Sequence, residues 1–264
     1  MRPGGGQWSD LAARLGSAAA MAVIGLAGIL AGGHVFHGMV AVICGAMVWE
    51  LVRMLAPDAP GPARHLGGLA GAATLLAIYV PAPFALPVLL APSLVGLGQL
   101  RQLRSIFVVF AALVLLAGFS MMLLRDMLGL GWLLWLVSVV IASDVAGYFA
   151  GRLIGGPKFW PRISPKKTWS GTVFGWIGAA IVGACFAPYL GAPVLLVWLS
   201  VAVALAAQMG DIAESAIKRR QGVKDSSALI PGHGGLLDRF DGMLGASVFV
   251  LLIAPFVDFL HVLG

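Results

Sequence analysis

Long runs of hydrophobic residues occupy most of the chain, and short polar segments rich in glycine, proline or basic residues separate them. An α-helix needs about 20 consecutive apolar residues to cross a lipid bilayer. The runs therefore predict an all-α polytopic membrane protein with about nine transmembrane helices. The predicted spans are residues 17–33, 36–52, 66–82, 84–100, 105–124, 130–150, 170–190, 193–213 and 242–261.

The composition agrees with this pattern and excludes a soluble globular protein. Hydrophobic residues make up 60% of the chain, charged residues only 11%, and the mean hydropathy is +0.97. A soluble domain carries about 25% charged residues. The first hydrophobic run is predicted to be a retained span rather than a cleaved signal peptide, because its loss would leave the nine spans without their basic N-terminal anchor.

The basic residues predict the orientation in the membrane. With nine spans, all but one of the 17 lysines and arginines lie on the side of the N-terminus, and Arg125 is the exception. Because loops rich in lysine and arginine stay in the cytoplasm, the N-terminus and the basic loops are predicted to be cytoplasmic. The pI of about 9.8 then reflects topology and anionic partners at the membrane, its lipids included, and not a nucleic acid.

The charged residues are unevenly distributed between the two halves of the chain. All five lysines lie between Lys158 and Lys224, whereas residues 1–130 contain none. We therefore expect one integral-membrane domain over residues 1–264, with a helical scaffold in residues 1–130 followed by a catalytic half in residues 140–245.

Two carboxylates in the predicted spans receive different interpretations. Glu50, near Arg53 at the end of the second span, is interpreted as half of an interfacial pair at a helix end. Asp144 lies about two turns before the cytoplasmic end of the sixth span, where a carboxylate is costly and faces protein or water rather than lipid. It is either a buried partner of another polar side chain or part of a functional site.

A basic loop follows the sixth span, and the segment SPKKT, Ser164–Thr168, is expected to open the next helix. The bases of such a loop can serve simply to bind anionic lipid headgroups. The hydroxyls of Ser164 and Thr168, together with backbone amides at the start of the next helix, also suit an anion, and the helix dipole adds to this. Lys166 and Lys167 would add positive charge there.

A second polar segment lies at the end of the eighth span. Asp211, Glu214, Ser215 and Lys218 are spaced i, i+3, i+4 and i+7, so they line one face of a helix. An ordinary solvated helix end has the same pattern. Asp211, however, follows the hydrophobic run AVALAAQMG almost directly, where a solvated carboxylate is not expected.

The third polar segment, GHGGLLDRFDG, combines a glycine-rich loop with Asp238 and Asp241 at the entrance of the last span. Two aspartates beside a basic loop suit a hard cation that prefers oxygen ligands and bridges phosphates. His233 is interpreted as a phosphate contact rather than a metal ligand, because no second histidine has the spacing of a zinc site.

These segments suit phosphoryl or nucleotidyl transfer, which depends on alignment and on charge stabilisation by cations and fixed bases. The chain lacks the Walker and Rossmann phosphate-binding motifs of the common soluble nucleotide-binding folds. The residues alone indicate a membrane-embedded enzyme that acts on a lipid phosphate, and they do not identify the reaction.

The segment Ser215–Asp241 resembles the signature of the phosphatidate cytidylyltransferase (CDP-diacylglycerol synthase) family. The matching motifs are S-x-I-K-R at Ser215–Arg219, K-D at Lys224–Asp225, P-x-H-G-G at Pro231–Gly235 and D-R-x-D at Asp238–Asp241. The SPKKT block, the segment Asp144–Arg152 and the pair Gly210–Asp211 are also similar to the family's, so the resemblance covers about residues 140–245. Two residues depart from the family's pattern. The family often has Glu where this chain has Ser170, and Thr or Ser where this chain has Val145.

The resemblance implies that CTP and phosphatidic acid react to give CDP-diacylglycerol and pyrophosphate. This reaction belongs to phospholipid biosynthesis at the bacterial cytoplasmic (inner) membrane. It also implies Mg²⁺ as cofactor, an active site on the cytoplasmic side and a homodimer. The expected metal ligands are Asp211, Asp238, Asp241 and Asp144. The residues expected to act in catalysis are Asp211, Asp238, Lys218, Arg219, Lys224, Asp225, His233 and Arg239. Those expected to bind substrate are Ser164, Lys166, Lys167, Thr168, Ser215, Gly234 and Gly235.

Two other functions stay open. A transporter of an organic anion could also carry aspartates in its spans and bases in its loops, but it would release no pyrophosphate and would usually contain inverted repeats. A CTP-dependent lipid kinase would release CDP instead of pyrophosphate.

Overall fold

The computed structural model describes residues 5–256, which are mostly helical. Within this range the helices are α1 (Gly5–Ala31), α2 (Gly33–Leu55), α3 (Pro60–Ala77), α4 (Ala82–Gln99), α5 (Arg104–Met127), α6 (Leu130–Leu153), α7 (Trp169–Leu190), α8 (Leu195–Arg220) and α9 (Leu237–Ile253). Local sequence explains several helix ends. Pro60 starts α3, where its missing N–H costs nothing, and Gly191, with φ of +63°, ends α7 in a left-handed conformation.

The helices coincide with the predicted hydrophobic segments. Each of the helices α1 to α9, as far as residues 5–256 describe them, overlaps one predicted span. Six of them, α2 and α4 to α8, are long and hydrophobic enough to cross a membrane, whereas the apolar part of α1, Leu15–Ala31, is shorter. The prediction of a polytopic helical membrane protein is confirmed, and the count of nine spans is not. Residues 257–261 of the last predicted span lie outside the described residues.

A two-stranded antiparallel sheet interrupts the helices between α6 and α7. Strand β1 (Lys158–Trp160) pairs with β2 (Ser164–Thr168), with Lys158 opposite Thr168 and Trp160 opposite Ser164. The expectation that the whole of Ser164–Thr168 opens a helix is therefore wrong. Pro165 restricts the residue before it to extended conformations, and the helix begins only at Trp169, after Thr168 has capped it.

The chain forms two compact units, each of which is described separately. The first contains residues up to 112 together with 223–239. In it α2 and α3 pack at very short range, because a Cβ on Gly67 would lie 2.9 Å from the carbonyl oxygen of Gly45 and 2.8 Å from the Cβ of Trp49. Small residues at such positions let membrane helices approach closely.

The second unit contains residues 113–222 together with residues 240–256. Here α6 and α7 meet at Gly147 and Gly171, and a Cβ on Gly171 would lie 2.7 Å from the carbonyl oxygen of Gly147. In the buried centre of this unit the indole N–H of Trp135 donates to the hydroxyl of Ser200 at 2.9 Å. These contacts hold the helices that position the charged residues described next. The prediction of a single domain stays a prediction.

Candidate active site

The second unit brings Lys167 of β2 against Asp211 of α8. The Lys167 ammonium lies 2.5 Å from Oδ2 of Asp211 and 3.5 Å from the carbonyl oxygen of Gln208. The hydroxyl of Ser215, one turn further along α8, donates to Oδ1 of Asp211 at 3.2 Å. Lys167, Asp211 and Ser215, which the sequence placed in the site from separate motifs, are therefore neighbours.

Two more aspartates lie in the same electrostatic environment. Asp144 of α6 interacts with the charges of Asp211 and Lys167. Asp241 lies in the first turns of α9, before the predicted last span, and its Oδ1 accepts a hydrogen bond from the Gly242 amide at 2.7 Å. Burial, and then the charge of Asp211, raise the pKa of the Asp241 carboxyl to about 7, although the Gly242 hydrogen bond opposes this. The three carboxylates of this unit therefore carry more negative charge than Lys167 alone can neutralise.

Glycines make this grouping of aspartates possible. A side chain on Gly245 of α9 would collide with the backbone of Ala206 in α8, and one on Gly210 would collide with the carbonyl of Asp241. Because both positions lack a Cβ, α8 and α9 cross in backbone contact beside Asp211 and Asp241.

The neighbouring charges of α8 also have partners. The buried Glu214 forms an ion pair with Lys218 one turn later, so the helix face predicted from the i, i+3, i+4 and i+7 spacing is not simply solvated. Arg219 donates from Nε to the carbonyl of Ile163, between the two strands, at 3.4 Å. Together with the pair of Lys167 and Asp211, this contact ties the β1–β2 hairpin to α8.

The hydroxyl residues around the start of α7 have mainly structural contacts. Oγ1 of Thr168 accepts from the Gly171 amide at 3.2 Å, and its hydroxyl lies 3.0 Å from that of Ser170. Ser170 in turn donates to the carbonyl of Gly155 at 2.5 Å. Thr168 is buried, whereas the side chain of Lys166 is exposed and Ser164 is half-buried. Lys166 is thus better placed for a dissolved substrate than Thr168.

The first unit contains the signature loop, residues 223–239, and Glu50 of α2 holds it. The Glu50 side chain is fully buried. It accepts hydrogen bonds from the amides of Leu236 and Leu237 at 2.9 and 2.8 Å, and from the hydroxyls of Ser226 and Ser227 at 3.2 and 2.6 Å. The interpretation of Glu50 as an interfacial helix-end partner is therefore wrong. No local sequence signal could have shown this role, because the residues it binds are more than 170 positions away along the chain.

Asp238 binds the same loop from its other side. Its Oδ2 accepts from the amides of Ser226 and Gly235, both at 2.8 Å, and it shares with Glu50 the single proton of the Ser226 hydroxyl, which lies 3.0 Å away. A Cβ on Gly235 would lie 2.7 Å from both carboxylate oxygens of Glu50, and one on Gly234, where φ is +80°, would lie 2.8 Å from Oδ2 of Asp238. Gly234 and Gly235, predicted to bind substrate, thus leave room for the two carboxylates that order the loop.

The other predicted residues of the first unit lie nearer its surface. Nδ1 of His233 is 2.8 Å from the hydroxyl of Ser17 in α1. The side chains of Lys224, Asp225 and Arg239 are exposed. These three charged groups are accessible to a ligand from solution, whereas His233 already contacts a neighbouring helix.

The predicted metal ligands fall in both units. Asp144, Asp211 and Asp241 belong to the second, and Asp238 belongs to the first. Within residues 5–256, no group of three or more His, Cys, Asp or Glu side chains is arranged so that it could hold a metal ion by itself. The metal set stays a prediction, in which substrate oxygens would have to complete the coordination.

Fold and site together define a polytopic helical membrane protein with a cluster of carboxylates and lysines and a glycine-rich loop ordered by two buried acids. The chain matches the model of the cytidylyltransferase family over residues 12–257 and belongs to that family.

Three relatives illustrate the similarity, and each is named phosphatidate cytidylyltransferase. The protein of Brucella suis is 45% identical over 148 residues, which are 52% of this chain and 53% of the relative. The protein of Mycobacterium bovis is 35% identical over 247 residues, which are 88% of this chain and 66% of the relative. The protein of Helicobacter pylori is 42% identical over 128 residues, or 48% of each chain. The chain thus spans from about half to two thirds of the length of these relatives.

Proposed function

We propose that this protein is a nucleotidyltransferase that converts CTP and phosphatidic acid to CDP-diacylglycerol and pyrophosphate in phospholipid biosynthesis. The observation that carries the proposal is the contact of Lys167 with Asp211, beside Asp144 and Asp241, in a membrane chain that belongs to the cytidylyltransferase family. The names of the three relatives support the choice of phosphatidic acid as the acceptor.

The reaction requires two anions to meet. An oxygen of the lipid phosphate forms a bond to the α-phosphorus of CTP, and the bond from that phosphorus to the bridging oxygen of the β-phosphate breaks, so pyrophosphate leaves with the electron pair. The second pKa of a phosphomonoester is about 6, so the lipid phosphate is largely ionised at neutral pH. A strong general base is not required, and the protein's main task is to align the two phosphates and offset their repulsion.

The described residues fit Mg²⁺ as the cofactor. Mg²⁺ is usually bound by one or two carboxylates together with waters and substrate phosphates, rather than by a cage made only of protein. The half-buried carboxyl of Asp241, whose pKa is raised by desolvation and then by the charge of Asp211, is what such an incomplete site would require. In this proposal Asp211 and Asp241 hold the ion, with Asp144 as a further ligand. Bound there, Mg²⁺ would neutralise phosphate charge.

Basic side chains would bind the phosphates that the carboxylates repel. Lys167 lies at the carboxylates, and Lys166 is exposed beside it on the same hairpin. The other bases assigned to CTP or the lipid headgroup are Lys218, Arg219, Lys224 and Arg239. Ser164, Ser215 and His233 would contribute hydrogen bonds to phosphate oxygens. The basic loops favour an active site on the cytoplasmic side of the inner membrane, with the N-terminus on that side, and a homodimer completes the proposal.

Labelled CTP distinguishes this function from its alternatives. Purified protein in detergent receives phosphatidic acid and CTP labelled with ³²P on either the α- or the γ-phosphate. We expect the α-label to enter the lipid fraction and the γ-label to appear in pyrophosphate. A lipid kinase would instead place the γ-label in the lipid, and a transporter would leave both labels in CTP, so either outcome would overturn the proposal.

A further inference from the structure

An open groove runs along the surface of the first unit between α2 and α3. Its volume is about 560 Å³, within the range of about 300–1,000 Å³ that is typical of small-molecule sites. Except for Trp49 and Arg64 at one end, the lining consists of glycine, alanine, valine and leucine side chains. The groove is therefore apolar along its length and carries a positive charge at one end.

The length of the groove matches half of a bilayer. On α2 it extends from Trp49 to Gly38, and on α3 from Arg64 to Leu75. At about 1.5 Å per residue, each wall is about 16 Å long, and the hydrocarbon core of a bilayer is about 30 Å thick. Tryptophan and arginine are common at the level of lipid headgroups, so the charged end lies where a headgroup is expected and the apolar wall covers the depth of one leaflet.

Two glycines of the lining, Gly38 and Gly68, have no packing partner at their Cβ position among the described residues. Within the part of the chain that the structure describes, a Cβ on Gly38 or on Gly68 would meet no atom of another segment within 4 Å, in contrast to Gly45 and Gly67, where the two helices touch. A glycine inside a helix costs about 1 kcal/mol relative to alanine. Their small size therefore keeps space open in the groove and does not bring the helices together.

The charged end of the groove lies beside the attachment point of the signature loop. Trp49 directly precedes Glu50 in α2, and Glu50 binds the amides of Leu236 and Leu237. A lipid with its headgroup at Trp49 and Arg64 would thus have its phosphate close to the segment that carries the signature of the first unit.

We propose that this groove binds phosphatidic acid, with one acyl chain between α2 and α3 and the phosphate held by Arg64. The inference rests on the proposed function, since it assigns the lipid substrate a place. The guanidinium of arginine can form paired hydrogen bonds with a phosphate, and the apolar wall complements one acyl chain. Charge and hydrophobicity therefore both favour an anionic lipid in this groove. A second copy of this chain, packed through the glycines, is the competing occupant.

The test fills the groove and compares it with a matched position elsewhere in the unit. In Gly68→Leu the new side chain occupies the groove, whereas Gly98 of α4 also has open space around it, so Gly98→Leu is the control. We expect Gly68→Leu to raise the KM for long-chain phosphatidic acid about tenfold, the effect of displacing about two methylene groups from an apolar site. The KM for CTP should stay unchanged, as should the KM for dihexanoyl phosphatidic acid, whose short chains do not fill the groove. Arg64→Gln should raise the KM for both lipids.

Direct binding separates this inference from the proposed function. Native mass spectrometry of the detergent-solubilised protein, titrated with dioleoyl phosphatidic acid, should show weaker lipid binding for Gly68→Leu than for Gly98→Leu, whether or not the wild type turns over CTP. Equal lipid binding and equal KM values in the two variants would overturn the groove assignment, while wild-type turnover would leave the proposed function intact. Loss of a dimer in Gly68→Leu, with unchanged lipid affinity, would also overturn it by identifying the second copy as the occupant.

Discussion

Replacing Glu50 by glutamine should release the signature loop without removing a residue that contacts phosphate. The carboxylate accepts four hydrogen bonds from the loop, two of them from the amides of Leu236 and Leu237. A glutamine offers one acceptor oxygen, and its NH₂ group would face donors. Because the NH₂ group cannot accept from a backbone amide, the bond to Leu236 or the bond to Leu237 is lost, and the remaining bonds lose their charged acceptor.

The size of the effect follows from these contacts. A hydrogen bond contributes about 1.5–3 kcal/mol with a charged group and about 0.5–1.5 kcal/mol with a neutral one. Losing one amide bond and making the acceptor of the others neutral therefore weakens the closed loop by about 3 kcal/mol. Since about 1.4 kcal/mol corresponds to a factor of ten, the loop should open about a hundredfold more often. The remaining anchor, Asp238, still binds Ser226 and Gly235, so the effect is local and the helices should stay folded.

Hydrogen exchange followed by mass spectrometry measures this opening directly. In Glu50→Gln, peptides that cover residues 223–239 should lose about two orders of magnitude of protection, and turnover should fall with it. Ser227→Ala removes only one of the donors to the Glu50 carboxylate, so it should cost about 1.5 kcal/mol, the lower end for a hydrogen bond to a charged acceptor. Asp58→Asn, at an exposed carboxylate between α2 and α3, should behave as wild type. Wild-type exchange at Leu236 and Leu237 together with wild-type turnover in Glu50→Gln would refute the role assigned to this residue.

Three further predictions concern the second unit. Asp211→Asn should abolish turnover while the protein still inserts and folds, and normal turnover of the purified variant would remove Asp211 from the metal site. Lys167→Ala should raise the KM for one substrate about tenfold or more, because a charge-assisted contact to phosphate is lost. Lys158→Ala, at an exposed lysine of the same hairpin, should leave both KM values unchanged. Unchanged KM values in Lys167→Ala would mean that Lys167 serves only to orient the chain in the membrane. Gly245→Val should separate α8 from α9 and lower thermal stability by more than Gly25→Val, a substitution at a helix position with open space, and equal melting temperatures would contradict the close crossing.

The positions of the helices could be predicted from the sequence because they follow from hydrophobicity alone. Each apolar run needs to satisfy its backbone hydrogen bonds within itself in lipid, so no distant contact is needed to specify it. The β1–β2 hairpin could not be predicted, because its strands are short and lie within a basic loop. The strands, paired from Lys158 with Thr168 to Trp160 with Ser164, are too short to show an alternation of hydrophobic and polar residues.

The candidate site was predictable as a set of residues but not as a set of contacts. The motif spacing identified Asp211, Lys167 and Asp238. It could not show that Lys167 pairs with Asp211, or that Asp238 accepts three hydrogen bonds from its own loop. Glu50 shows the limit most clearly, since only the tertiary fold brings α2 to the signature loop.

Pyrophosphate release is the measurement that tests the central claim most directly. Purified protein in detergent is supplied with CTP, phosphatidic acid and Mg²⁺, each component is omitted in turn, and Asp211→Asn serves as the matched inactive protein. We predict one pyrophosphate for each CDP-diacylglycerol formed, with release lost when any one component is missing. Release without phosphatidic acid, or no release from well-folded wild-type protein with all three components present, would contradict the account.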